Sequence, residues 1–163
     1  MKTIAIAGTF DTKGQEFLYV KNLVEELGLK TFTIHSGVFE PLFEPDVSNK
    51  EVAAAAGYDI TAIAEKQDRA LGTEALSKGM EVLIPKLYAE GKFDGILSLG
   101  GSGGTSLATP AMRALPIGVP KLMVSTMASG NVSQYVGTSD IIMMPSIVDV
   151  AGLNKISKTI FRN

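Results

Sequence analysis

Four glycines in five positions, within the segment Leu99 to Thr105 (LGGSGGT), make this stretch the first candidate for chemistry. The segment follows an apolar run typical of a buried strand and precedes a helical pattern, so its backbone amides could approach an anion closely. The following helix adds unpaired N–H groups and the positive end of its dipole. We interpret the segment as a phosphate-binding site; a strand-to-helix turn without a ligand is the alternative. The candidate residues are Gly101, Ser102, Gly103, Gly104 and Thr105.

A second polar segment, Gly8 to Gly14 (GTFDTKG), follows the first apolar run of the chain. The hydroxyl of Thr9 or Thr12 could donate to phosphate, and Lys13 could pair with it as a point charge. Asp11 could hold a magnesium ion or a ribose hydroxyl. The alternative is structural: Asp11 or Thr12 would cap the first helix, and Lys13 would be solvated.

Two further segments follow strand-like runs. Residues 125–131 (STMASGN) contain small hydroxyl-bearing side chains that could donate to phosphate or sugar, or form an ordinary turn. The candidates here are Thr126, Ser129 and Gly130. Asp149 is flanked by apolar residues, so its burial would require a partner. We expect Asp149 to cap the last helix rather than to meet a ligand hydroxyl.

Other titratable groups are weaker candidates. His35, the only histidine, ends a strand-like run and is predicted to be structural rather than an acid–base catalyst. Glu40, Glu44 and Asp46 form an acidic loop that could bind a cation, although such loops are more commonly solvated. Motifs of nucleophilic or zinc-dependent hydrolysis are absent. The pattern therefore favours binding over a reaction, and we assign no catalytic residue.

Composition narrows the classes of function. The 163 residues are enough for one domain and its core, and the absence of cysteine excludes disulfides and thiolate metal sites. The net charge is −2 and basic residues form no cluster, so we expect no nucleic-acid partner. No apolar run approaches the roughly 20 residues that span a bilayer, and the first run is too short for a signal peptide. We therefore expect a cytoplasmic protein that contacts no membrane.

Five short apolar runs, several of them rich in β-branched residues, predict strands. They cover residues 3–7, 30–35, 93–100, 119–125 and 140–144. Helical patterns between and after them predict helices over residues 15–27, 49–56, 105–115 and 153–161. A longer helical pattern over residues 62–91 predicts one kinked helix or two abutting helices, with the interruption near Leu71-Gly72.

This alternation predicts an α/β fold: an open parallel sheet of about five strands with helices on both faces, in a single domain over residues 1–163. The strand order stays open between a Rossmann-like and a flavodoxin-like arrangement. In either order the carboxyl ends of the strands meet at one edge, where ligands of open α/β sheets bind. We therefore expect the three polar segments to share that edge.

Four stretches together carry a resemblance to a known family. GTFDTKGQEF, LGGSGGT, MVSTMASG and YVGTSDIIMMPSIVDVAGLN occur in this order and extend over essentially the whole chain. The sequence resembles the Tm-one-like ATP-binding domain family, which includes a plant tobamovirus-resistance protein and many microbial proteins. The resemblance implies an N-terminal α/β domain that binds ATP, with or without Mg²⁺, and that is usually followed by a second α/β domain. The implied partners are a nucleotide and that second domain, and we also expect homo-oligomers.

Carried over position by position, the resemblance implies nucleotide contacts at the residues already chosen on physical grounds. They are Thr9, Asp11, Thr12 and Lys13 in the first loop, Gly101 to Thr105 in the glycine segment, and Thr126, Ser129 and Gly130 in the third loop. An acidic residue is usual in the family where Asn131 stands, which weakens any magnesium role at that position. Two alternatives stay open: an enzyme acting on a phosphorylated or sugar-like small metabolite, and an oligomerisation or interaction module.

Overall fold

Five strands alternate with helices along the chain, and the computed structural model describes all residues from 1 to 163. The strands are β1 (Thr3–Gly8), β2 (Lys30–His35), β3 (Gly95–Gly100), β4 (Lys121–Ser125) and β5 (Ile142–Pro145). The helices are α1 (Gly14–Glu26), α2 (Asn49–Ala55), α3 (Ile60–Glu65), α4 (Arg69–Ala89), α5 (Ser102–Ala114), α6 (Ser133–Val136) and α7 (Lys155–Arg162). A single 3₁₀ turn, Thr126–Ser129, follows β4. All five predicted strands are confirmed, whereas the short helix α6 was not expected.

The strands form one open sheet in the order β2-β1-β3-β4-β5, and every neighbouring pair is parallel. Ile6 of β1 lies opposite Thr33 of β2 and Leu97 of β3, which places β1 between them. The predicted fold class is confirmed, and this order is the flavodoxin-like one of the two alternatives. The chain leaves β1 toward β2 on one side and returns to β3 on the other. The loops after β1 and β3 therefore diverge and leave a crevice between them.

Helices cover both faces of the sheet, as predicted. The larger core lies between the sheet and α2 to α5, with residues such as Leu76, Ile84 and Met112 fully buried. The smaller core lies under α1 and α7, where Phe10 and Phe17 pack edge to face with their ring centroids 5.1 Å apart. None of the helices has both the length and the apolar character needed to cross a bilayer.

The long helical pattern is divided into α3 and α4, but not where the sequence predicted. The break lies at residues 66–68, where Gln67 takes a left-handed φ of 54° and the Asp68 carboxylate accepts from the Leu71 N–H. Gly72 was expected near the break and instead lies buried inside α4. A Cβ added there would lie 2.7 Å from a Val38 methyl, so this glycine serves close packing rather than helix interruption.

Candidate functional site

The segment after β1 is a tight turn that leads into α1. The Lys13 N–H donates to the Thr9 carbonyl (2.9 Å), and the Thr12 hydroxyl donates to the Thr9 hydroxyl (3.0 Å). Lys13 occupies the N-cap position of α1, and no side chain caps this helix. The alternative prediction that Asp11 or Thr12 caps α1 is therefore wrong, because both residues are engaged in the turn that precedes the helix.

Asp11 joins this turn to the loop that follows β2. One of its carboxylate oxygens accepts from the Thr12 N–H (2.9 Å) and the other from the Phe39 N–H (3.1 Å). A side chain at Gly37 would collide with this carboxylate, so the close approach of the two segments requires glycine there. A carboxylate can accept about four hydrogen bonds, which leaves Asp11 able to accept from a ligand as well.

The glycine segment forms the first turn of α5 rather than a loop before it. The sequence predicted a helix start near Thr105, but β3 ends at Gly100, Gly101 is the N-cap residue, and α5 begins at Ser102. A Cβ on Gly100 would lie 2.9 Å from the Gly104 Cα. Because both residues lack a Cβ, the helix turns directly over the end of the strand, which the sequence pattern alone did not indicate.

The start of α5 exposes backbone donors. The N–H groups of residues 101–104 donate to no acceptor in the protein, and no side chain caps the helix. Gly101 and Gly104 are partly exposed and Ser102 and Gly103 are exposed, so these donors are open to a ligand. The first N–H that is satisfied belongs to Thr105, which donates to the Gly101 carbonyl (3.0 Å).

Thr105 supports this turn from beneath. Its side chain is fully buried, and its hydroxyl donates to the Gly101 carbonyl (2.6 Å) and pairs with the Ser125 hydroxyl (2.5 Å). Ser125 in turn accepts from the Met127 N–H (3.0 Å) at the start of the 3₁₀ turn. This chain of hydrogen bonds couples the glycine segment to the loop after β4, so Thr105 positions the donors instead of facing a ligand.

The loops after β1, β3 and β4 meet around one cavity of about 520 Å³ at the carboxyl ends of the strands. It lies at the crevice beside β1 and β3. Among the residues predicted from sequence, eight line this cavity: Thr9, Thr12, Lys13, Gly101, Ser102, Gly103, Gly104 and Thr126. Ser129 and Gly130 are exposed but do not line it, and Asp11 borders a smaller neighbouring cavity.

Helix α4 adds two lining residues that the sequence did not indicate. Arg69 and Thr73 belong to its first turns and contact both the main cavity and the smaller neighbour. The Arg69 guanidinium lies 5.2 Å from the centroid of the Phe39 ring, an arrangement that holds the cation at the rim. The Asp68 cap is the local signal for the start of α4, but no local pattern places that start beside Thr9.

Asp149 faces the same cavity, so the expectation that it caps the last helix is wrong. Helix α7 is capped by Asn154, whose side chain accepts from the Ile156 and Ser157 N–H groups. Asp149 lies upstream in the β5–α7 loop, which the Glu16 carboxylate holds by accepting from the Gly152 N–H. The loop thereby places Asp149 in the wall of the cavity that the glycine segment also lines.

His35 is structural, as predicted. It is fully buried, its Nδ1 accepts from the Phe10 N–H (3.2 Å), and its Nε2 faces the Phe39 carbonyl oxygen (2.8 Å). Because Nδ1 accepts, the proton lies on Nε2, which donates to Phe39. The ring therefore links the β1 turn to the loop after β2, and no face of it is open to a substrate.

The acidic loop forms no cluster of ligands. Asp46 accepts from the Thr33 N–H (2.7 Å) and hydroxyl (2.9 Å), which attaches the loop to the edge of β2. Glu40 and Glu44 are exposed. The chain contains no group of three or more histidine, cysteine, aspartate or glutamate side chains arranged to hold a metal ion.

Residues 2–163 match the family described as "Uncharacterised protein family (UPF0261) N-terminal domain". The chain belongs to this family. A UPF0261 protein of Clostridium tetani is 47% identical over 163 residues, which cover 99% of this chain and 40% of the relative. A UPF0261 protein of Rhizobium meliloti is 42% identical over 163 residues, which cover 100% of this chain and 40% of the relative.

A plant protein is also among the relatives of this chain. The ToMV susceptible protein tm-1(GCR26) of Solanum lycopersicum is 35% identical over 173 residues, which cover 96% of this chain and 23% of the tomato protein. The resemblance to Tm-one-like proteins is thereby confirmed. This chain spans 40% of the length of the two microbial relatives.

Proposed function

We propose that this domain binds the phosphate groups of a nucleotide, ATP, at the start of α5. The observation that carries the proposal is the set of backbone N–H groups of residues 101–104, which have no acceptor in the protein and line the 520 Å³ cavity. Such donors, together with the positive end of the helix dipole, bind phosphate in many α/β proteins. The position at the switch of strand order supports a ligand at this edge of the sheet, and the choice of ATP follows from the resemblance to the Tm-one-like ATP-binding domain family.

The charges around the cavity support a phosphate ligand that carries a metal ion. Lys13, at the start of α1, and Arg69, at the start of α4, both line the cavity and can neutralise phosphate oxygens. Asp149 places one negative charge in the same wall. Because this carboxylate repels free phosphate and attracts Mg²⁺, we expect Mg²⁺-ATP to bind more tightly than ATP alone.

Isothermal titration of the domain with Mg²⁺-ATP tests this function. We expect saturable binding that Lys13→Ala and Arg69→Ala each weaken by about three- to tenfold, since an exposed charge pair contributes up to about 1 kcal/mol or slightly more. Lys86→Ala is the matched control, because Lys86 is exposed in the last turn of α4, far from Arg69. The absence of binding and of thermal stabilisation by ATP at millimolar concentration would refute the proposal.

A phosphorylated or sugar-like metabolite is the alternative ligand, and an enzyme acting on it would use the same donors. A thermal-shift comparison of ATP with sugar phosphates separates the two. Greater stabilisation by a sugar phosphate than by ATP, lost in Lys13→Ala, would support the metabolite. We propose no reaction, because the cavity holds no nucleophile paired with a base.

A second candidate function is protein association through the β5 edge of the sheet. β5 pairs only with β4, and Ile142 on it is 62% exposed beside an apolar cavity of about 240 Å³. Unpaired strand edges and exposed apolar side chains favour association. We propose that a second copy of the chain binds there. Sedimentation should show a dimer that Ile142→Lys converts to a monomer; a monomeric wild type at high concentration would exclude it.

A further inference from the structure

A buried hydroxyl group without a partner lies beside the proposed phosphate site. Ser36 follows β2 and is 1% exposed, and its Oγ is the one buried side-chain polar atom that has no hydrogen-bond partner in the protein. Its backbone is held in place, because the Ser36 N–H donates to the Gly8 carbonyl (2.8 Å). Buried polar groups are nearly always paired, so an unpaired one indicates a partner that the protein itself does not supply.

Ser36 lies in the wall of a small cavity that continues the proposed phosphate site. This cavity measures about 100 Å³, and it shares five lining residues with the larger one. The shared residues are Thr9, Thr12, Arg69, Thr73 and Leu107. A ligand whose phosphates bind at the start of α5 can therefore extend toward Ser36 without leaving the crevice.

The chemistry of this wall fits a sugar better than a second phosphate. Its side chains include four hydroxyl groups, those of Thr9, Thr12, Ser36 and Thr73, and one carboxylate, that of Asp11. Hydroxyl groups both donate and accept, and a carboxylate accepts from a ligand hydroxyl but repels phosphate. Arg69 at the rim is the single cation of this wall and is shared with the phosphate site.

We propose that this smaller cavity is the ribose site of the nucleotide, with Ser36 Oγ hydrogen-bonded to a ribose hydroxyl and the Asp11 carboxylate as a second acceptor. The inference rests on the proposed phosphate site at α5. It adds a specificity-determining residue, because Ser36 distinguishes a nucleoside triphosphate from the same phosphates without the sugar hydroxyls.

The test compares three probes, Mg²⁺-ATP, Mg²⁺-2′,3′-dideoxy-ATP and Mg²⁺-tripolyphosphate, in the wild type and in Ser36→Ala. We expect the wild type to bind ATP about five- to hundredfold more tightly than dideoxy-ATP, the usual contribution of two hydrogen bonds. In Ser36→Ala that preference should fall, because only the contact to Asp11 remains, while tripolyphosphate binding stays unchanged. The comparison of ATP with dideoxy-ATP in the wild type needs no variant, so it tests the ribose site even if Ser36→Ala folds poorly.

Ser98→Ala is the matched control, because Ser98 is equally buried but its hydroxyl donates to the Ala7 carbonyl (2.6 Å). Ser98→Ala should lower the melting temperature and keep the ATP preference, whereas Ser36→Ala should keep the melting temperature, since it breaks no hydrogen bond. Equal affinity of the wild type for ATP and dideoxy-ATP would overturn the ribose site but leave the phosphate site standing. A preference as large in Ser36→Ala as in the wild type would also overturn it. Failure of all three probes to bind would overturn both proposals.

Discussion

Replacing Gly103 by alanine separates the binding role of the glycine segment from its role in folding. Gly103 is the second residue of α5, and a Cβ added there would meet no atom within 4 Å. Alanine at such a helical position stabilises by about 0.4–1 kcal/mol, chiefly because the unfolded chain loses conformational freedom. For a chain of this size that corresponds to a melting temperature raised by roughly 1–4 °C.

The same methyl group should weaken phosphate binding. Gly103 lines the cavity and its N–H has no acceptor in the protein, so a phosphate oxygen must approach closely there. Loss of one hydrogen bond to a charged oxygen costs about 1.5–3 kcal/mol, which lowers ATP affinity about ten- to hundredfold. Gly103→Val should weaken binding further because its side chain is larger.

Isothermal titration with Mg²⁺-ATP and thermal denaturation measure the two effects on the same samples. Ser106→Ala is the control, since Ser106 is exposed on the same helix and lines neither cavity of the site. A melting temperature several degrees lower in Gly103→Ala would show that the segment is needed for packing. Unchanged ATP affinity would show that the phosphates bind elsewhere.

Two further predictions concern packing and charge. Gly79→Ala should lower the free energy of unfolding by about 1–3 kcal/mol, because the added methyl would overlap the Val52 carbonyl oxygen and this clash outweighs the helix propensity of alanine. Chemical denaturation measures this free energy, and a gain in stability would contradict the prediction. Hydrogen bonds from the buried Lys121 ammonium and the Gly118 N–H lower the pKa of Asp140 from 3.8 to about 2. The free energy of unfolding should therefore fall as pH drops from about 4 to 2, and it should fall less in Asp140→Asn. The same dependence of this free energy on pH in the wild type and in Asp140→Asn would refute the prediction.

Local patterns in the sequence were sufficient to locate the elements and most of the polar loops. β-Branched runs that end in glycine, such as TIAIAG, indicate buried strands because parallel strands bury both faces. Segments directly after such strands must lie at the carboxyl edge of the sheet. For this reason Lys13, Gly103 and Thr126 could be chosen from the sequence, and the structure brings them to one cavity.

Long-range packing decided the strand order, the remaining residues of the cavity wall and the start of α5. A sequence pattern does not show such packing, because it depends on contacts between residues that are far apart in the chain. The strand order placed Arg69 beside Thr9, 60 positions away, and no local pattern encodes that proximity. The first turn of α5 starts three residues earlier than the sequence suggested, and the buried hydrogen bond between the Thr105 and Ser125 hydroxyls, 20 positions apart, attaches that turn to the end of β4. Helix propensity disfavours glycine, so only the tertiary contact reveals why the helix begins there.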